Sequence, residues 1–156
     1  MIKQVAVFVE NKPGSLRDVT AALHEKKVNI HAFACFDTPE FCIFRMIADK
    51  PKEVKSVLTA KGCVTKICDV IAVELEDELG GLDGLLDTLA DSNISINYTY
   101  TSFRRKHQIP VVILYTEDIF EALDIQDELQ TLYTSGTVFH AFLGERLPNW
   151  KSAAAL

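Results

Sequence analysis

The chain has 156 residues, of which 48% are hydrophobic, and a mean hydropathy of +0.11, enough apolar material for one large domain or two small ones. Its 16 basic residues against 22 acidic ones give a net charge of −6, which argues against broad phosphate-driven nucleic-acid binding, because that needs a basic footprint. No apolar run approaches the roughly 18–20 residues that span a bilayer, the opening Met1-Ile2-Lys3-Gln4 lacks a secretory signal's apolar run, and Cys35, Cys42, Cys63 and Cys68 show no Cys-x-x-Cys spacing; reduced thiols in a soluble, cytoplasmic protein are expected.

Val5, Val7 and Val9 alternate with Ala6 and Phe8, a period of two that predicts a strand. Asn11-Lys12-Pro13-Gly14 stops it, and from Ser15 onward Leu16, Val19, Ala22 and Leu23 share one helical face. Val28 to Phe36 and Phe41 to Ala48 are rich in β-branched and aromatic residues and form a hairpin around Asp37-Thr38-Pro39-Glu40. Pro51 then opens a helix whose Val54, Val57 and Leu58 run toward Gly62. A brief strand, about Val64 to Cys68, closes the unit.

Strand, helix, strand, strand, helix, strand is the ferredoxin-like split βαβ order, and it comes a second time. A strand runs from Val70 to Glu76, Gly80-Gly81 makes the turn, and Leu82, Leu85, Leu86 and Leu89 mark a helix. A strand follows from Ile94 to about Ser102, then one from Val111 to Tyr115, a helix with Ile119, Leu123, Leu129 and Leu132, and a last strand from Val138 to Leu143. Ile71 to Leu82 aligns with Val5 to Leu16 at an offset of 66 (71 minus 5, 82 minus 16), and Val28-Asn29-Ile30 with Ile94-Ser95-Ile96 at the same offset. Asp49 meets Glu117 at 68, so the second hairpin turn holds a two-residue insertion. The expectation is an α+β fold of two βαββαβ units, antiparallel sheets with helices on one face, over residues 1–69 and 70–144, with a tail at 145–156. Strands apolar on both faces leave a helix-free face that needs covering, so a symmetric homodimer is expected.

A Gly-containing turn that delivers the chain into a helix leaves the first N–H groups unpaired beside the positive end of the helix dipole, a place that accepts carboxylate or phosphate. Gly14 tolerates positive φ, Pro13 stiffens the turn, and Ser15 either caps the helix or donates to a ligand. The same residues also serve as a plain helix start, so the motif alone leaves both readings open. Tyr98 and Tyr100 share a strand face, and Tyr98 is the better candidate for a pocket wall. His24, His31, His107 and His140 lack metal-ligand spacing, and no metal or cofactor is expected. Cys35 and Cys42 lie on the two arms of the first hairpin, where buried thiols are the default. Arg104, Arg105 and Lys106 in Phe103 to Gln108 are the one dense basic cluster, a solvated tip or a dock for an acidic partner. No triad, carboxylate pair or Gly-x-Gly-x-x-Gly supports catalysis. Acyl-phosphate hydrolysis by Arg17 beside Asn29 is disfavoured, because Arg17 follows the turn on the helix's polar face and the loop lacks a phosphate cradle.

Asn11-Lys12-Pro13-Gly14-Ser15-Leu16 resembles the Asp/Asn-x-Pro-Gly-x-Leu signature of ACT domains, small ligand-sensing modules of amino-acid metabolism, and Val28-Asn29-Ile30 resembles their Gly-x-Asn-Ile pattern. The likeness covers roughly residues 1–144 as two copies. It implies a stand-alone regulatory protein, not an enzyme, that binds a free amino acid between units and signals by altered inter-unit packing. By position, the first site would use Asn11, Pro13, Gly14, Ser15 and Leu16 with Asn29 and Ile30. The second would use Asp77, Gly80, Gly81 and Leu82 with Ser95, Ile96, Asn97 and Tyr98. The second copy departs from the pattern at Leu79, where the family has Pro, and at Ser95, opposite Asn29. The alternative is a subunit or interaction module for an amino-acid biosynthetic enzyme, with vestigial ligand loops.

Overall fold

The computed structural model describes residues 2–38, 40–75, 79–104, 109–119, 122 and 140–141. The chain divides into two compact units, Ile2–Asp69 and a second beginning at Val70.

In the first unit β1 (Ile2–Glu10) leads into α1 (Ser15–Glu25), the hairpin β2 (Ile30–Asp37) and β3 (Phe41–Ala48), then α2 (Pro51–Ala60) and β4, which starts at Val64. The sheet order is β2-β3-β1-β4, the order that βαββαβ connectivity produces. β1 and β3 run antiparallel with Val5 opposite Met46, Val7 opposite Phe44 and Val9 opposite Cys42. This face carries both helices: the three valines, Phe44 and Met46 pack with Val19, Ala22 and Leu23 of α1 and Val54 and Leu58 of α2. Six of these, Val5, Val7, Leu23, Met46, Val54 and Leu58, are wholly buried, and each buried aliphatic side chain contributes about 1.5–3 kcal/mol. The other face holds Gln4, Ala6 and Phe8 opposite Ile47, Arg45 and Ile43. Phe8 and Phe36 remain exposed, Phe8 leaning on Phe41 at 5.6 Å between centroids and Phe36 under the Arg45 guanidinium. On this face Gln4, Ala6 and Ile47 are buried, and the exposed apolar surface is that of Phe8 and Phe36.

The two helices of the first unit and the first helix of the second end alike. A residue with positive φ follows the cap, at Lys27, Gly62 and Asn93, and two reversed hydrogen bonds close each end, as in Val28 N–H to Leu23 O and Cys63 N–H to Leu58 O. Lys27 and Asn93 are again 66 apart (93 minus 27).

The second unit repeats the pattern with α3 (Gly81–Asp91), β5 (Tyr98–Arg104), β6 (Ile109–Tyr115) and β7 (His140–Ala141). Its order is β5-β6-β4-β7, with Ile71 opposite Leu114 and Val73 opposite Val112. Leu85, Leu89, Ile94, Val112 and Leu114 form its core.

Two details differ from the sequence reading. The strands expected at Val64–Cys68 and Val70–Glu76 are one strand, β4 (Val64–Glu74), because nothing in Cys68-Asp69-Val70 breaks an extended chain. β5 begins at Tyr98 rather than Ile94; Ile94 is buried and Ile96 packs on the core without strand pairing, and the ladder starts only where Asn97 N–H reaches Tyr115 O at 2.9 Å. Leu82 and Leu86 are exposed, the inward arc of α3 being filled by Leu85 and Leu89. Of the late helix, Ile119 and Ala122 are described, Ala122 buried. Leu123, Leu129, Leu132, most of Val138 to Leu143, the Arg105–Gln108 tip and the tail lie outside the described residues.

Candidate functional site

Gly14 is the N-cap of α1, at φ 91° and ψ −15°, a left-handed conformation that favours glycine. Ser15 is thus the first helical residue, and no side chain caps the helix. The expected Ser15 cap is replaced by backbone: Ser15 N–H donates to Lys12 O at 3.2 Å and Asp18 N–H to Gly14 O at 2.9 Å. Among the described residues no acceptor meets the first-turn N–H groups of Leu16 and Arg17, so a ligand or water takes them.

The loop opens on a cleft of about 370 Å³ within the first unit. Val9, Val19 and Leu58 give it an apolar floor, Phe8 borders it, and Glu10, Lys12, Ser15 and Asp18 line it together with Lys61, Gly62 and Cys63 from the end of α2. Gly62, at φ 86° in the closing turn of α2, swings Lys61 and Cys63 to this side. The lining carries two cations and two carboxylates. Lys12 pairs with Glu10, and that hydrogen bond, reinforced by the charge attraction, holds the Glu10 carboxyl below its ordinary range and Lys12 above its own. With the folded Glu10 value lowered, the pair's contribution to stability is present above the unfolded value and is lost as pH falls through the folded one. Both side chains are exposed, so solvent screens it. The Glu10 carboxyl carbon is expected to titrate below the ordinary glutamate range, and to return to it in Lys12→Met; an unchanged titration would show that the pair does not persist in solution.

Of the residues proposed from the sequence for the first site, only Ser15 lines this cleft. Asn11 and Pro13 are exposed, Gly14 half-buried, and Leu16 is 38% exposed. Asn29 is used elsewhere: its N–H donates to Asp49 Oδ1 at 3.0 Å and its carbonyl accepts from Asp49 N–H at 3.1 Å, tying the start of β2 to the start of α2. Ile30 packs on the core. Glu10, Lys12, Asp18, Lys61 and Cys63 were missed. Lys12 lay inside the motif, but nothing linear links it to Lys61.

In the second unit Gly80 is the N-cap of α3 at φ 93° and Gly81 its first residue, again without a side-chain cap. Leu82, Ser95 and Asn97 are exposed. Tyr98 stacks on Tyr115, centroids 5.1 Å apart, which occupies one face of the ring expected to wall a pocket. Asp77 lies outside the described residues.

Two left-handed glycine caps stand at one register, each following the first strand of its unit, and the family model described as the ACT domain pair matches residues 1–132. The chain belongs to the ACT domain pair family. Among solved structures it is similar to a protein from Bacteroides thetaiotaomicron, at 23% identity over 90% of this chain and 92% of that one, with a TM-score of 0.78. The ACT pair is also similar to the regulatory subunit of aspartate kinase from Thermus thermophilus in its ligand-free form, at 16% identity over 81% and 91%, TM-score 0.59. A third likeness is to aspartate kinase from Synechocystis, at 19% identity over 87% of this chain and 26% of that one, TM-score 0.59. These likenesses bear on fold. Among curated protein sequences none matches this chain. No helix among the described residues is long and apolar enough to cross a membrane, and no group of His, Cys, Asp and Glu among them is arranged to hold a metal.

Proposed function

We propose that this ACT pair is a non-catalytic, cytoplasmic sensor of a free α-amino acid, bound at the Asn11–Leu16 loop of the first unit. The observation that supports the reading is the cleft that Lys12, Ser15 and Asp18 line, with Glu10 and Lys61, over an apolar floor. A zwitterion suits that pattern: its carboxylate takes the N–H groups or a lysine, its ammonium a carboxylate, and its side chain the floor. Asn11, Asn29 and the matching second-unit residues enter the proposal as contacts completed by packing between units and in a homodimer. The exposed aromatic face at Phe8 and Phe36 supplies apolar surface for that dimer. Ligand shifts the inter-unit arrangement by its differential affinity, commonly about 1–3 kcal/mol.

Thermal-shift measurement with each of the twenty amino acids tests this. A ligand at about 100 times its Kd adds about 2.7 kcal/mol of stability, a rise of roughly 5–10 °C for a chain of this size. Silence across the set sinks the sensor reading. A second reading, a regulatory subunit for a biosynthetic enzyme with vestigial loops, draws on the second unit, where Leu79 and Gly81 stand for Pro13 and Ser15 and Leu79 is fully exposed.

A further inference from the structure

Helix α3 carries an outward double stripe that α1 lacks. At about 100° per residue, Leu82, Leu86 and Ala90 form a row beside the buried Leu85 and Leu89, and Asp83, Asp87 and Asp91 form the next row out. Leu82 and Leu86 are 46% and 39% exposed, and Leu79, ahead of the helix, is 108% exposed. Ala90 and all three aspartates are exposed as well. The matching rows of α1 read Leu16, Thr20, His24 and Arg17, Ala21, Glu25, neither apolar nor of one sign.

The sequence segment that carries this stripe is charged with one sign. Between Asp69 and Arg104 the sequence holds no Lys, Arg or His but seven acidic residues, Glu74, Glu76, Asp77, Glu78, Asp83, Asp87 and Asp91. Among the described residues no salt bridge engages the three aspartates of α3. Core packing explains Leu85 and Leu89; it does not explain leucines facing water beside an acidic row. A second copy of α3 laid on the first would set three carboxylates against three more, which like-charge repulsion opposes.

We propose that the outer face of α3 is a docking surface for a partner protein that presents a basic amphipathic helix. Its apolar residues lie on Leu79, Leu82 and Leu86, and its Lys or Arg residues face Asp83, Asp87 and Asp91. The surface does not depend on the ligand loop of the first unit. The probe is a fluorescein-labelled Leu/Lys amphipathic peptide of roughly 18 residues, long enough to hold a helix when bound, titrated into the full chain at physiological salt. The control is a peptide of the same composition shuffled to remove the apolar face.

The helical peptide is expected to bind at least about tenfold tighter than the shuffled one, with amide shifts confined to residues 79–91. Leu82→Gln with Leu86→Gln is expected to cost at least about tenfold in affinity at unchanged Tm. Asp83→Asn with Asp87→Asn and Asp91→Asn is expected to flatten the salt dependence of binding. Equal affinity of the two peptides, shifts centred on α1, or full binding by the leucine pair variant would overturn the proposal. A concentration-dependent dimer that the leucine pair variant dissolves would overturn it too, by assigning the face to a second copy of this chain.

Discussion

Gly14→Val is expected to weaken amino-acid binding at least about 100-fold while the chain stays folded. The residue sits at φ 91°, where a β-branched side chain is strained, at a cost of about 1–3 kcal/mol. For a chain of this size that lowers Tm by roughly 2–12 °C. The larger effect is on the ligand. Relaxing φ reorients the first-turn N–H groups of α1 that the proposal gives to the ligand carboxylate, and a hydrogen bond to a charged group is worth about 1.5–3 kcal/mol, so losing two removes 100-fold or more. Gly14→Ala separates strain from bulk: its Cβ would meet only the Arg17 guanidinium, Nη2 at 3.4 Å and Cζ at 3.8 Å, and that flexible side chain yields, so an intermediate loss is expected. Titration calorimetry with the amino acid identified by thermal shift reads both. Unchanged affinity in Gly14→Val places the ligand elsewhere, and Gly80→Val asks the same of the second loop.

What the sequence made legible was local chemistry at a repeated register. Alternation at Val5 to Val9, Pro13-Gly14 and Pro51 announced strand, turn and helix start, and the offset of 66 extends to a feature no pattern shows, the positive φ shared by Lys27 and Asn93. What was lost needed three dimensions. β4 was read as two strands because a duplication invites a break between copies, and no residue there supplies one. Four leucines mark the helix in the sequence without saying which of them face the core, and the inward arc admits Leu85 and Leu89. Asn29 is a ligand residue by position only; the structure adds a backbone tie to Asp49 that no linear pattern shows and leaves the side chain exposed. The cleft was invisible because α2 contributes Lys61 and Cys63 from some fifty residues beyond Lys12.

Leu58→Ala is expected to destabilise the first unit by about 2–5 kcal/mol, the range for truncating a buried leucine. Leu58 is wholly buried, packs in the core with Val5, Val7 and Leu23, and also closes the floor of the cleft. Removing its isobutyl group leaves a void in that core and deepens the cleft from below. Chain composition makes the effect separable by unit. All four tyrosines, Tyr98, Tyr100, Tyr115 and Tyr133, and Trp150 fall after Asp69, so their fluorescence reports the second unit, while far-ultraviolet circular dichroism reports both. In urea, Leu58→Ala is expected to bring the dichroism midpoint below the fluorescence midpoint, because only the first unit has lost packing. Coincident midpoints would show that the two units unfold as one, and a loss under about 1 kcal/mol would mean the site collapses onto the void. The same variant is expected to favour amino acids with larger apolar side chains, since the deepened floor has room for them. Selectivity unchanged alongside lost stability would assign Leu58 to the core alone and move the specificity pocket off the floor of this cleft.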